Sequence, residues 1–158
     1  MRIPKSDVGS AIPSFFWSAD SRFVAFPGAG VEFKALMVAD SAGGPAEKLV
    51  EISDTIVGGS WNRDGTILLG GSGIWRTSAA GGKPVQLTSV HNDFSPILLP
   101  DGKHFLYTRD YQAPESGIFV GSIDAKPAEQ SRERIVATQA VCVFVLTVVL
   151  NWQQMLKK

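Results

Sequence analysis

An aspartate-centred turn followed by a short apolar run occurs three times in this chain, in "WSADSRFVAF" (17–26), "WNRDGTILLG" (61–70) and "LPDGKHFLYT" (99–108). The turn aspartates Asp20, Asp64 and Asp101 stand 44 and then 37 residues apart. A second mark follows each turn in the same order: "SAGGPAEKL" (41–49), "AAGGKPVQL" (79–87) and a weaker echo, "IDAKPAE" (123–129). A repeat of this period restricts the chain to copies of one supersecondary unit, stacked so that neighbours bury the apolar faces that a single unit leaves open.

The middle unit states the local physics most cleanly. Apolar runs at Val57–Trp61, Ile67–Leu69, Ile74–Thr77 and Pro84–Leu87 are separated by "NRDG", "GGSG" and "SAAGGK", all turn signals of the kind that close hairpins. The result is a four-stranded antiparallel meander. The first unit repeats it with strands near Ser14–Trp17, Phe23–Phe26, Ala35–Ala39 and Glu47–Val50; the third uses Ser95–Leu98, His104–Thr108, Ile118–Ser122 and Glu133–Ala137. In two of the aspartate turns a glycine, Gly65 or Gly102, follows the aspartate and can take positive φ, and Pro100 pre-sets the third turn. Ser21 stands at that position in the first unit, so that turn is expected to be strained or differently shaped.

Four-stranded units of about 40 residues are the mark of β-propeller blades. The expected fold is therefore all-β: a partial propeller of about three four-stranded antiparallel blades, with a short C-terminal strand and helical turn. The corresponding division is a lead-in at 1–12, propeller repeats at 13–140 (blades 13–51, 57–89 and 94–138) and an apolar strand and tail at 141–158. Propellers close with about four to eight blades, so three blades leave two apolar faces open. A truncated gene product, assembly with other chains, or completion by the tail would each answer that problem.

With 44% apolar and 19% charged residues in 158, the chain can build a packed core, and its 15 basic and 15 acidic residues leave no net field to hold nucleic acid. Cys142 cannot form an internal disulfide and lies in the run "AVCVFVLTVVL", Ala140–Leu150, which is too short for a membrane helix and Val-rich enough to read as a buried strand. "MRIPKSDVGSAIPSFFW" has no apolar core of a secretory signal, so export would need an upstream segment. "NWQQMLKK" reads as a short helical turn. The compartment is left unassigned: cytoplasmic for the chain alone, extracytoplasmic as part of a membrane-anchored kinase.

Together the "WSADSRFVAF", "WNRDGTILLG" and "LPDGKHFLYT" segments and the two "AGG" turns resemble the WD-like repeats of TolB-type β-propellers, over about residues 13–125. More narrowly, "GGSWNRDGTILLG", "IWRTSAAGGKPVQLT", "FSPILLPDGKHFLYT" and "GIFVGSID" are similar to the propeller C-terminal to the kinase domain of some bacterial serine/threonine protein kinases, and "VVLNWQQMLKK" resembles the end of such chains. That resemblance implies a sensing or binding propeller attached to a membrane-anchored kinase. The kinase chemistry itself is missing from this sequence, which has no Gly-rich loop before a Val-Ala-x-Lys strand, no His-Arg-Asp loop and no Asp-Phe-Gly.

Candidate chemistry is sparse. His91, Asp93 and His104 are competent metal ligands, but the first two precede a strand and the third follows the "LPDG" turn, placing them at opposite ends of a blade. "PGAGVEF" (27–33) and "GGSGIW" (70–75) lack the Gly-Lys-Ser/Thr of a phosphate loop and open no helix, and "GGSW" and "GGSG" fail the nucleophile-elbow pattern. Trp17, Trp61 and Trp75 read as packing between sheets, and "EQSRERI" (129–135) as a solvated edge strand. No catalytic, cofactor-binding or metal-ligating residue is assigned, and no cofactor is expected. The expected function is a non-catalytic interaction or sensing module that binds a protein, peptide or small ligand through blade loops, or self-associates to close the ring, without nucleic acid. Any membrane association would come from an upstream segment. The alternatives are an accessory propeller of a receptor-like kinase or peptidase, or a truncated product without independent function.

Overall fold

A computed structural model describes residues 14–28, 34–89, 93–109 and 116–137. The lead-in at 1–12, His91, Cys142, the Ala140–Leu150 run and the "NWQQMLKK" tail fall outside them. The described residues form three four-stranded antiparallel sheets, each a meander in chain order. Blade 1 holds β1 (Phe16–Trp17), β2 (Phe23–Pro27), β3 (Ala35–Asp40) and β4 (Glu47–Glu51). Blade 2 holds β5 (Gly58–Trp61), β6 (Thr66–Gly70), β7 (Ile74–Ser78) and β8 (Val85–Gln86). Blade 3 holds β9 (Asp93–Leu98), β10 (His104–Arg109), β11 (Gly117–Ser122) and, after a short 3-10 turn at Pro127–Glu129, β12 (Arg134–Ala137). The fold is an arc of a β-propeller.

An aspartate closes each turn in the same way, although the blade 2 loop is one residue shorter: the Asn62 N–H donates to the Thr66 carbonyl, where those of Ser18 and Leu99 reach five residues on to Phe23 and His104. Asp20, Asp64 and Asp101 each use Oδ1 to accept the backbone N–H two residues on, from Arg22 (3.1 Å), Thr66 (2.9 Å) and Lys103 (3.0 Å). Gly65 and Gly102 take positive φ, 85° and 67°. Ser21 adopts the same left-handed conformation at φ 61°, so the first turn keeps its shape and bears the steric cost. At the far end of each third strand, Asp40, Ser78 and Ser122 accept from the N–H of Ala42, Ala80 and Asp124 in the same way.

Strand alternation gives each blade two apolar faces. In blade 1, Ala25 pairs with Val38 and faces blade 2, while Val24, Phe26, Met37 and Ala39 form the opposite face. In blade 2, Ile67 and Leu69 pack toward blade 1 and Leu68 and Ile74 toward blade 3. Phe105, Tyr107 and Phe119 complete the second joint, with ring centroids 5.6 and 5.7 Å apart along the stack.

Pro96 cannot donate to a ladder, and β9 carries it as the inner edge strand, with an irregular register between Leu106 and Thr108 and Ser95 at φ 53°. This bulge rests on Gly70 of blade 2, where a Cβ would come within 2.8 Å of the Phe94 Cα.

Candidate functional site

Asp93 opens β9 and is fully buried, directly opposite Arg109 at the end of β10. The guanidinium meets the carboxylate side-on, Nε to Oδ1 at 2.9 Å and Nη2 to Oδ2 at 3.3 Å, and also donates to the Tyr107 hydroxyl at 3.1 Å. It lies 4.6 Å from the Phe119 ring centroid and 5.5 Å from that of Tyr107. Such a charge survives burial because it is paired, hydrogen-bonded and laid against two aromatic rings. Burial, with the neighbouring Asp93 charge, pushes the Tyr107 phenol up to about 12. Tyr107 is thus a neutral hydrogen-bonding partner at physiological pH.

The loop of blade 2 docks beside this cluster. The Gly71 N–H donates to the carbonyls of Gly73 and Asp93, both at 3.0 Å, while Asp54 of the blade 1 to blade 2 linker accepts from the Ser72 N–H through Oδ2. "GGSG" is therefore a hairpin turn joining β6 to β7, gripped from both sides.

At the other end of β10, the ring Nδ1 of His104 lies 2.5 Å from Asp101 Oδ2, and the His104 N–H donates to Oδ1 at 3.0 Å. Burial opposes ionisation of Asp101, but the bonds from the His104 ring and the Lys103 and His104 amides outweigh it and hold the carboxyl below its ordinary range. The Ser18 hydroxyl at 2.6 Å and the Arg22 amide do the same for exposed Asp20. Asp93 and His104 sit at opposite ends of β10, roughly 17 Å apart at strand rise, and are committed to different partners. Among the described residues no three His, Cys, Asp or Glu side chains gather as a metal centre would require, and no helix is long and apolar enough to cross a membrane.

Trp61 and Trp75 pack against the joint between blades 1 and 2, Trp61 stacking on Phe23 with centroids 6.1 Å apart. Trp17 departs from the packing expectation: it is 48% exposed, with Phe15 beside it at 63%. Its pairing with Val24 puts it on the face of blade 1 that looks away from blade 2, where no described blade lies. "EQSRERI" runs into the outermost strand, with residues 131–134 exposed, and Gln130 was not foreseen as a structural residue. Its buried amide takes the place of the missing Gly-Gly turn, accepting from the Ser122 N–H and donating to the Ser122 and Ala125 carbonyls. A glutamine followed by a charged run carries no signal for that role.

No family model matches the sequence, and no curated protein matches it. Among solved structures, a putative TolB from Agrobacterium tumefaciens is similar with a TM-score of 0.62 at 16% identity, over 75% of this chain and 48% of that one. Hydrazine synthase from Kuenenia stuttgartiensis is similar with a TM-score of 0.58 at 19% identity, over 70% of this chain and 34% of that one. The chain thus spans about half, or less, of the length of the structures it matches. At these identities the likeness is one of fold, and the described part of the chain is an arc of a β-propeller.

Proposed function

We propose that the chain is a non-catalytic propeller module that works by binding a protein, peptide or small ligand on its blade loops. The observation that carries this reading is how the polar groups are spent. Asp93 is held by Arg109, Asp101 by His104 and Asp20 by its own turn, all as structural closures. A rigid sheet scaffold whose turn and buried carboxylates are held in this way is suited to presenting surface rather than activating a nucleophile.

The test is a calorimetric screen of peptides and small ligands against the purified chain, each ligand then recovered and identified by mass spectrometry. Saturable binding with the ligand recovered unchanged is expected. Chemical conversion of a bound ligand would overturn the non-catalytic reading.

A second reading is an accessory propeller of a larger enzyme, a receptor-like kinase or a peptidase. It is favoured by the 48% coverage of the TolB-like structure and by the resemblance of the repeats to kinase-linked propellers. Binding that appears only when the chain is fused to, or mixed with, such a catalytic domain would support it over an autonomous module.

A further inference from the structure

The joint between blades 1 and 2 is a template for joints that the two ends of the arc could make. Trp61, three residues before its turn aspartate, stacks on Phe23, three residues after the turn aspartate of the preceding blade. The repeat places Trp17 at the Trp61 position of blade 1 and His104 at the Phe23 position of blade 3. The backbone agrees: the Ser18 N–H donates to the Phe23 carbonyl at 2.9 Å and the Leu99 N–H to the His104 carbonyl at 2.8 Å. Leu98, at the same position in blade 3 as Trp61 in blade 2, packs back into the second joint.

Register puts His104 on the same face as Leu106 and Val120, turned away from blade 2. Ile97 and Val136 extend that face and are 38% and 47% exposed. The blade 1 face is open at its inner end, at Phe15 and Trp17, whereas Phe26, Ala39 and Ala46 are already buried within the single chain. Each end of the arc therefore carries its half of a joint whose complete form lies between blades 1 and 2.

We propose that a second copy of this chain occupies both ends, with Trp17 of one copy stacking on the His104 ring of the other and the reverse contact closing a six-bladed ring. Two copies of a chain that spans 48% of the TolB-like structure supply about the same amount of propeller. Six blades fall within the range in which propellers close, and a two-fold axis makes the head-to-tail contacts close rather than extend. This inference goes beyond the binding reading and stands independently of it.

Light scattering on the purified chain tests it, beside Trp17→Glu and a cross-linking pair made in a Cys142→Ser background. The expected mass is twice the 17.0 kDa of one chain. Trp17→Glu should give a monomer that keeps its β-sheet circular dichroism and cooperative melt. Trp17→Cys mixed with His104→Cys should be joined by a short thiol cross-linker into mixed dimers, while Trp17→Cys alone gives none. A folded monomer of the native chain at hundreds of micromolar would overturn the proposal. So would a dimer that Trp17→Glu leaves intact, or a ladder of higher species from a chain carrying both cysteines, since a ladder means an open filament.

Discussion

The two joints of the arc do the same job with different materials. Between blades 1 and 2 the contact is side chain on side chain: Trp61 on Phe23, and the Phe16 ring over Gly59. Between blades 2 and 3, an apolar cluster is reinforced by polar ties at three points. Ser60 Oγ accepts the Leu98 N–H at 3.1 Å, the Gly71 N–H donates to the Asp93 carbonyl, and Arg76 Nη1 donates to the Ile123 carbonyl at 3.0 Å. The first joint can adjust by rotamer changes; the second presses backbone on backbone, at a strand whose Asp93 is held within blade 3 by its buried pair with Arg109. The difference teaches that one repeat can be stacked by soft or by rigid contacts, depending on whether a bulge brings the chain itself into the interface.

The sharpest way to break this contrast is Arg109→Ala. Leaving Asp93 buried without its partner should cost about 3–5 kcal/mol in urea unfolding. Replacing the pair by apolar residues of similar size should recover much of that loss; a cost under about 1 kcal/mol for Arg109→Ala would show that the pair does not hold that strand.

Two glycine substitutions sharpen the comparison. Gly70→Ala drives a Cβ into the Phe94 and Ser95 backbone and the Pro96 ring, and should cost about 2–3 kcal/mol. Gly59→Ala meets the Phe16 ring but also the Leu68 carbonyl, so rotation of Phe16 relieves only part of the clash. Its cost should be less than additive with that of Phe16→Ala, and strict additivity would contradict the side-chain character of the first joint.

Smaller effects separate the turns. Gly102→Val forces a β-branched residue to positive φ and should destabilise by on the order of 1 kcal/mol or more. Ser21→Gly should stabilise by roughly 0.5 kcal/mol, because the turn is already left-handed there. Equal melting midpoints for Ser21→Gly and the native chain would show that the serine is not strained.

The smallest effect is acid dependence. The Asp101 carboxyl is held below its usual value of 3.8, so its contribution is complete above that pH and is lost as pH falls through the lower folded value. Urea titrations at neutral pH and near pH 3 should show a smaller acid loss for Asp101→Asn than for the native chain. An equal loss in both would detach the turn from the pH dependence.

Much of the strand plan was legible because the turns are local. Asp-Gly and Gly-Gly signals mark hairpin ends without reference to distant residues, and the expected strands agree with the observed ones within about two residues at each end. The separation of Asp93 from His104 was legible for the same reason. Trp17 matches the pattern of Trp61 yet is exposed within the single chain; only the position of blade 1 at the end of the described arc distinguishes them. Gln130 and the Asp93–Arg109 pair went unseen because their partners are set by bulges and loop closures that leave no periodic trace.

By itself the sequence determined the unit: a four-stranded meander, repeated three times, with carboxylates closing its hairpins and positive-φ residues at fixed places. Those choices rest on interactions within a few residues, and local chemistry settles them. Only the tertiary structure decided which face of each blade meets a neighbour, which charges are buried together and which tryptophan is left in solvent. These depend on the order of blades along the arc, and hence on contacts between residues tens of positions apart.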